Sequence, residues 1–390
     1  MARIIEHTVD LDLPAGQGVH TLIAQIPTRL RLEGRLFKIK DSAEQTARTL
    51  SILRVASCLS DSEKLHFILM PESSVPFEAL DTVMEAVSTD LPDNTVVIFG
   101  VEHITLEKFR RVLDRYPTDN AEIIDLVSDE DDGDDKSKPV NMCVTVLKEQ
   151  TGRLRCFLAA KTHPFAGEET VDDVFDLYRG KAFLLFSCQN TPFNFMPLIC
   201  FDYVYRDLHN SNIMSIIEKA NEIYFRRHQN LDLLAVIQCN PKPEHKVFRD
   251  VVTGFYGEHL FKTPGTRDTL TFFINSSSET ELEGASAKDP FGHSSIVAGI
   301  RHKLPRIKLS EFKTDDFSGA PVSRLRFDNP TRLYLCRFFP HHETDPRSSR
   351  AAVKVTGIYR PITPHHWERM SGEDLLSGIT DDTGEPNGYI

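Results

Sequence analysis

The sequence predicts a layered α/β domain. Short, nearly continuous apolar runs of strand length recur along the chain, segments with helical spacing of apolar residues separate them, and no repeat of solenoid period interrupts the alternation. The chain has 390 residues, 40% of them hydrophobic and 26% charged, which suits a globular protein with one large core or two moderate ones.

Taken in order, residues 1–19 carry acids and no long apolar centre, so they read as an N-terminal extension and not as a secretory signal. Residues 41–59 have helical spacing, with Leu50 and Leu53 on the apolar side, and residues 79–87 repeat that signature. Between them, residues 65–70 (LHFILM) read as a buried strand ended by Pro71. Residues 128–138 (SDEDDGDDKSK) hold six acids and two lysines, an acidic loop insertion expected to be solvated. Residues 157–161 and 197–200 (PLIC) read as strand ends, and a helix is expected from Ile213. In residues 301–360 thirteen Lys and Arg face six Asp and Glu, and 324–327 and 332–339 alternate basic with apolar residues, as strands with one exposed basic face do. The segment 301–370 is therefore expected as a basic C-terminal extension and 371–390, with five acids and no bases, as a flexible tail. The two acidic stretches account for most of the net charge of -12.

Three residues carry the chemistry. Glu72 follows the 65–70 run, Lys161 ends the 157–161 run and Cys200 ends PLIC, so each sits at a strand's carboxyl end, where α/β sites collect. Covalent amide chemistry requires a soft nucleophile, a base for its proton and a fixed positive charge for the oxyanion. Cys200, Glu72 and Lys161 supply one each. At a strand-to-helix turn the Cys200 sulfur can project into a cleft while the Phe201 N–H points at an oxyanion. Any one of the three alone would be ordinary: a cysteine after Leu-Ile is commonly a small buried hydrophobe.

In their order along the chain these blocks resemble the nitrilase superfamily, the carbon–nitrogen hydrolases with a Glu-Lys-Cys triad. The blocks are MPESSVP around Glu72, KTHPFAGEE from Lys161, and PLICFDY around Cys200. Flanking runs fit the family's strands: 20–27 (HTLIAQIP), 96–102 (VVIFGVE), 140–147 led by an asparagine, 233–241 (LLAVIQCNP), TFFINSSS, and the Gly-Ser loop of 289–299. The resemblance spans residues 20–300. It implies an α-β-β-α sandwich, Glu72 as general base, Lys161 and the Phe201 N–H on the tetrahedral intermediate, Cys200 as the thioester-forming nucleophile, and Glu168 as an auxiliary acid for which Glu169 competes. His163 reads more simply as a structural hydrogen-bonding residue than as a catalyst, and Asn141 as a turn or strand-end residue than as a ligand contact. Phe201-Asp202 in place of Trp-Glu is similar to the amidase branches and favours an amide or carbamoyl substrate over a nitrile. The aromatic residues Phe195, Phe201 and Tyr203, with His163 and Asp202, are expected around the substrate.

The implied function is hydrolysis of a non-peptide carbon–nitrogen bond in a small molecule, with no cofactor. Two alternatives stand beside it: an acyltransferase using the same thioester, and a non-catalytic module engaging a partner through residues 301–360. A homo-oligomer, dimer or higher, is the favoured use of that basic segment, a protein partner the next, and nucleic acid the least favoured. Seven cysteines without a CxxC pair argue against a disulfide framework or zinc knuckle, and adjacent histidines such as His365 and His366 diverge too far to hold a metal. With no apolar run of membrane-spanning length, a cytoplasmic protein that does not enter a membrane is expected.

Overall fold

The computed structural model describes residues 2–13, 18–60, 64–128, 135–164, 177–206, 211–241, 243, 246–283, 291–299, 304, 309–316, 322–340 and 352–372. Glu168, Glu169, most of the acidic insertion and nearly all of the 371–390 tail lie outside them. Along the first half run β1 (Arg3–Val9), β2 (Val19–Gln25), β3 (Arg29–Glu33), β4 (Leu36–Ile39), α1 (Ser42–Ser60), β5 (Phe67–Leu69), α2 (Leu80–Asp90), β6 (Thr95–Thr105), α3 (Leu106–Leu113), α4 (Pro117–Ser128), β7 (Pro139–Lys148) and β8 (Leu154–Ala160). The second half has β9 (Ala182–Cys188), β10 (Asn194–Ile199), α5 (Phe201–Val204), α6 (Asn212–Arg227), β11 (Leu233–Gln238), α7 (Lys246–Gly254) and β12 (Leu270–Asn275). It closes with β13 (Glu281–Leu282), β14 (Ser295–Gly299), β15 (Phe312–Asp316), β16 (Val322–Phe327), β17 (Arg332–Phe338), β18 (Val353–Thr363) and β19 (His366–Arg369).

Two eight-stranded mixed sheets form, in the orders β1-β9-β10-β11-β12-β14-β16-β15 and β19-β18-β17-β2-β5-β6-β7-β8, with a small β13-β3-β4 sheet beside them. The large sheets face one another through aromatic contacts: Phe67 of the second meets Phe195 of the first edge-on, and Phe157 meets Phe186 likewise. The opposite face of the first sheet packs Leu185, Leu198, Val236 and Phe273 against Ile213, Ile217 and Tyr224 of α6 and Val252 of α7. Helices α1 to α4 cover the second sheet. The chain thus adopts the α-β-β-α sandwich that the resemblance implied. Strands such as β5 and β11, buried on both faces, need continuous apolar sequence, and FIL and LLAVIQ supply it.

Two expected boundaries differ from the structure. Residues 1–19 are no appendage, because β1 pairs in parallel with β9 along its whole length and Ile5, Val9, Leu11 and Leu13 enter the core. The 301–370 segment likewise completes the sandwich: β16 pairs with β14 in one sheet and β17 with β2 in the other. Among the described residues, several of its basic side chains meet partners inside the molecule. Arg324 and Arg326 both reach Asp315, at 3.1 and 3.3 Å, Arg332 holds Glu311 at 3.0 Å, and the Arg337 guanidinium lies over the Phe339 ring. Among the described residues, no helix is long and apolar enough to cross a membrane.

One glycine sets a close approach that the site depends on. A Cβ on Gly100, in β6, would lie 2.5 Å from the Ser73 nitrogen and 2.6 Å from the Glu72 Cα. That contact is locked by backbone bonds: Gly100 N–H donates to the Pro71 carbonyl, and the Ser74 and Val75 N–H groups donate to the Gly100 carbonyl. Gly100→Ala must push the Glu72 loop off the sheet. It is expected to lower stability by about 1–3 kcal/mol, the usual range for overpacking, read as a reduced urea midpoint, and an unchanged midpoint would contradict the close packing described.

Candidate functional site

Glu72 sits in the turn after β5 and is 4% exposed. Lys161 follows β8 directly and is fully buried. Its backbone is fixed on both sides, with its N–H on the Asn141 carbonyl and its own carbonyl accepting from the Gly180 N–H, each at 2.8 Å. A Cβ on Gly180 would fall 2.0 Å from the Ala160 carbonyl oxygen, so only glycine permits this approach. The Lys161 Nζ donates to Glu72 Oε1 at 2.9 Å, and Asn141 Nδ2 donates to the same oxygen at 2.6 Å. Glu72 Oε2 accepts the Cys239 backbone N–H at 2.9 Å. A buried carboxylate and ammonium persist only when paired and hydrogen-bonded, and this arrangement meets that requirement on both oxygens.

Cys200 is half-buried and occupies the sharp junction between β10 and α5, at φ 44° and ψ -102°. A β-carbon-bearing residue in that region is strained, which strand-to-helix turns displaying a nucleophile use to lift the side chain out of the sheet. Two ties fix where the turn lies. The Cys200 N–H donates to the Ile237 carbonyl of β11, two residues before the Cys239 N–H that holds Glu72. On the other side, Asp202 Oδ1 accepts from the Thr162 N–H (2.9 Å), the Thr162 hydroxyl (2.7 Å) and the His163 N–H (3.0 Å), the residues immediately after Lys161. The cysteine turn is thereby pinned between the holder of the carboxylate and the loop of the lysine. Phe201 is the first residue of α5, and an N–H at that position has no intrahelical acceptor.

Burial pushes the Asp202 carboxyl up to about 7, against the pull of its bonds to Thr162 and of the Lys161 charge. His163 belongs to the same network: its ring stacks on Tyr205 with centroids 3.4 Å apart, and its Nδ1 lies 2.8 Å from the Thr162 hydroxyl and 3.1 Å from Asn212 Nδ2. Asn212 Nδ2 also donates to the Asp202 carbonyl. Asp202 and His163 are therefore fasteners between two loops.

Two residues expected around the substrate are placed elsewhere. Phe195 is buried between the sheets, stacked on Phe186 at 4.9 Å. Tyr203 is buried against Phe255 and Phe273 in the core beneath the helices. The pleat of β10 aims Phe195 at the facing sheet, and the first turn of α5 aims Tyr203 at the outer layer. Sequence reasoning in turn passed over Cys239 and gave Asn141 no part in the site. Asn141 was visible as a polar residue in an apolar strand, whereas Cys239 acts through its backbone, which leaves no side-chain signal. Among the described residues no group of three or more His, Cys, Asp and Glu could hold a metal ion.

No protein-family model and no curated protein matches the sequence. Among solved structures, the chain is similar to a glutamine-dependent NAD+ synthetase from Acinetobacter baumannii in complex with ADP, at 12% identity and a TM-score of 0.44, covering 82% of this chain and 45% of that one. It is also similar to an N-terminal amidase, at 13% identity and a TM-score of 0.33 over 62% of this chain and 55% of that one. A third likeness is to the C. elegans NitFhit protein, at 11% identity and a TM-score of 0.34 over 80% of this chain and 61% of that one. The chain spans about half the length of these structures.

The buried Asp202 gives a pH signature. Burial raises its carboxyl to about 7 in the folded state, against an ordinary value of 3.8 when unfolded. Between those values the native state holds more protons, so this residue's contribution to stability falls as pH rises through the window. Asp202→Asn keeps an acceptor for the Thr162 and His163 donors and removes the titration. The melting temperature of Asp202→Asn relative to wild type is expected to rise steadily from pH 4 to pH 7, and parallel profiles would show that the carboxyl is not so perturbed.

Proposed function

We propose that this chain is a cysteine-dependent hydrolase of a non-peptide carbon–nitrogen bond, of the nitrilase type, acting on an amide or carbamoyl group. The observation that carries the reading is the fully buried Lys161 ammonium on the Glu72 carboxylate, with the strained Cys200 turn tied to the lysine's loop and to β11, the strand that leads into the Cys239 N–H on Glu72. A sandwich needs no buried ion pair for its stability, and replacing such a pair by apolar residues is often neutral or stabilising. The segments that hold the pair also hold, through one further bond each, a cysteine in a backbone conformation that favours glycine.

In this reading the Glu72 carboxylate takes the thiol proton as Cys200 Sγ attacks the carbonyl carbon. The carbonyl π pair moves onto oxygen, where the Lys161 ammonium and the Phe201 N–H stabilise it. Collapse of the tetrahedral intermediate breaks the carbon–nitrogen bond, and the departing nitrogen receives the proton from Glu72. The resulting thioester is attacked by a water whose proton passes to Glu72. The second collapse releases the acid and returns that proton to the sulfur. The Asn141 and Cys239 donors hold Glu72 in place throughout. The competing reading, a module binding through its basic C-terminal face, has less support because Arg324, Arg326 and Arg332 are engaged with Asp315 and Glu311.

Intact-mass analysis after exposure to a mixed library of amides, carbamoyl compounds and nitriles tests the proposal. Wild type is expected to carry an acyl adduct that Cys200→Ala lacks, with the fold of the variant unchanged by circular dichroism. Glu72→Gln is expected to lower turnover by about 10²–10⁴-fold, the range for loss of a general base. Turnover by Cys200→Ala at the wild-type rate ends the assignment.

A further inference from the structure

Two half-buried cysteines, Cys200 and Cys239, stand at the ends of adjacent strands, and the chemistry above uses the thiol of only the first. β10 and β11 pair in parallel with Ile199 opposite Ile237, and the Cys200 N–H on the Ile237 carbonyl carries that register one residue further, so Cys200 stands opposite Gln238. Cys239 is the next residue. Neighbouring strands lie about 4.8 Å apart and rise about 3.3 Å per residue, which sets the two α-carbons about 6 Å apart, inside the roughly 4.4–6.8 Å that a disulfide bridges.

The two side chains also share a side of the sheet. Residues alternate sides along a strand. In β11, Ile237 enters the core between the sheets and Gln238 lies beside Val252 and Phe273 on the helical side, so Cys239 returns to the inner side. Alternation alone would send Cys200 outward after Ile199. The φ of 44° breaks it, and Cys200 packs against the same inner cluster as Ile199 and Ile237. The ladder ends at this point as well. In a regular parallel pair the Cys239 N–H would donate to the Cys200 carbonyl, but that carbonyl accepts from the Tyr203 N–H and the Cys239 N–H turns to Glu72.

We propose that a peroxide joins Cys200 and Cys239 in a reversible disulfide. The Cys200 thiolate attacks one peroxide oxygen, the O–O bond breaks, and the departing hydroxide takes up a proton to leave as water. The sulfenic acid so formed is attacked by the Cys239 sulfur as its thiol proton is lost, the S–O bond breaks, and a second water leaves. Two thiols and one hydrogen peroxide thus give one disulfide and two waters. The other cysteines compete poorly: burial pushes the Cys143, Cys156, Cys188 and Cys336 thiols far above their ordinary value, and Cys58 lies exposed on α1. The bond itself follows from the strand register alone. Its consequence, removal of the attacking sulfur, rests on the hydrolase reading.

Treatment of the full chain with hydrogen peroxide, followed by peptide mapping without reduction, tests it, with Cys58→Ser as the parent so that the exposed thiol cannot link two copies. The peptides of Cys200 and Cys239 are expected to be joined, and dithiothreitol to separate them. Cys239→Ser in the same parent keeps the backbone N–H on Glu72 and removes the capturing sulfur. It is expected to accumulate sulfenic acid at Cys200, seen as a severalfold rise in dimedone labelling, and to pass on to sulfinic acid that dithiothreitol does not reverse. Equal dimedone labelling of Cys239→Ser and its parent overturns the proposal. So does a parent whose Cys200 reaches sulfinic acid, or stays reduced, without joining Cys239. Acyl labelling of Cys200 is expected to be lost on oxidation and to return on reduction. Joined peptides from a chain that never takes an acyl adduct keep the disulfide and end the hydrolase reading, and an adduct without joined peptides does the reverse.

Discussion

The ion pair between Lys161 and Glu72 is the constraint around which the centre of this molecule is arranged. An ammonium with no solvent exposure and a carboxylate with almost none are each several kcal/mol dearer to bury than an apolar group, unless every lone pair and proton finds a partner. Four separate segments must therefore meet: the turn after β5 for the carboxylate, β7 for Asn141, the end of β8 for the lysine and the end of β11 for the Cys239 N–H. Such convergence is possible because the strands that end there lie in two facing sheets. It also explains where glycine is required. Gly100 and Gly180 each lie where a neighbouring segment passes too close for a β-carbon, one under the Glu72 turn and the other against the end of the lysine strand.

The cysteine is located differently. Its place is set by its own backbone N–H on Ile237 and by the side chain of Asp202, which reaches the two residues following Lys161. Both ties run through the backbone of the cysteine and the side chain of its neighbour. Asp202 bears the consequence. A carboxyl buried among neutral donors holds its proton near neutrality, so the fastener is a group for which the charged state is the expensive one.

Much of this was legible in the chain because strands buried on both faces advertise themselves as unbroken apolar runs. LHFILM, PLIC and LLAVIQ each end close to the residue that the site uses. The two ends of the chain were misread for one common reason. In β1, Arg3 and Glu6 stand among the buried Ile5 and Val9, and Glu6 is answered by Arg227 of α6, far along the sequence. Arg324 and Arg326 of β16 are likewise met by Asp315, and Arg332 of β17 by Glu311. A charged residue on a strand looks the same in sequence whether its partner is water or a carboxylate, so both segments resembled solvated extensions. The misplacement of Phe195 and Tyr203 has another origin. Nearness to a cysteine in sequence does not decide which face of a strand or of a short helix a ring occupies.

The end of β11 shows how one strand can serve two faces without joining them. Ile237 gives its carbonyl to the cysteine turn, Cys239 gives its N–H to Glu72, and Gln238 between them turns its amide toward the helical layer. Adjacency of this kind invites the idea that an occupant on one side controls chemistry on the other. Coupling of that sort requires an element with two alternative arrangements whose balance both sites shift. β11 is paired in parallel with β10 from Leu233 to Ile237 and with β12 from Leu233 to Gln238, and its residues are buried. A strand held on both edges and both faces has one arrangement.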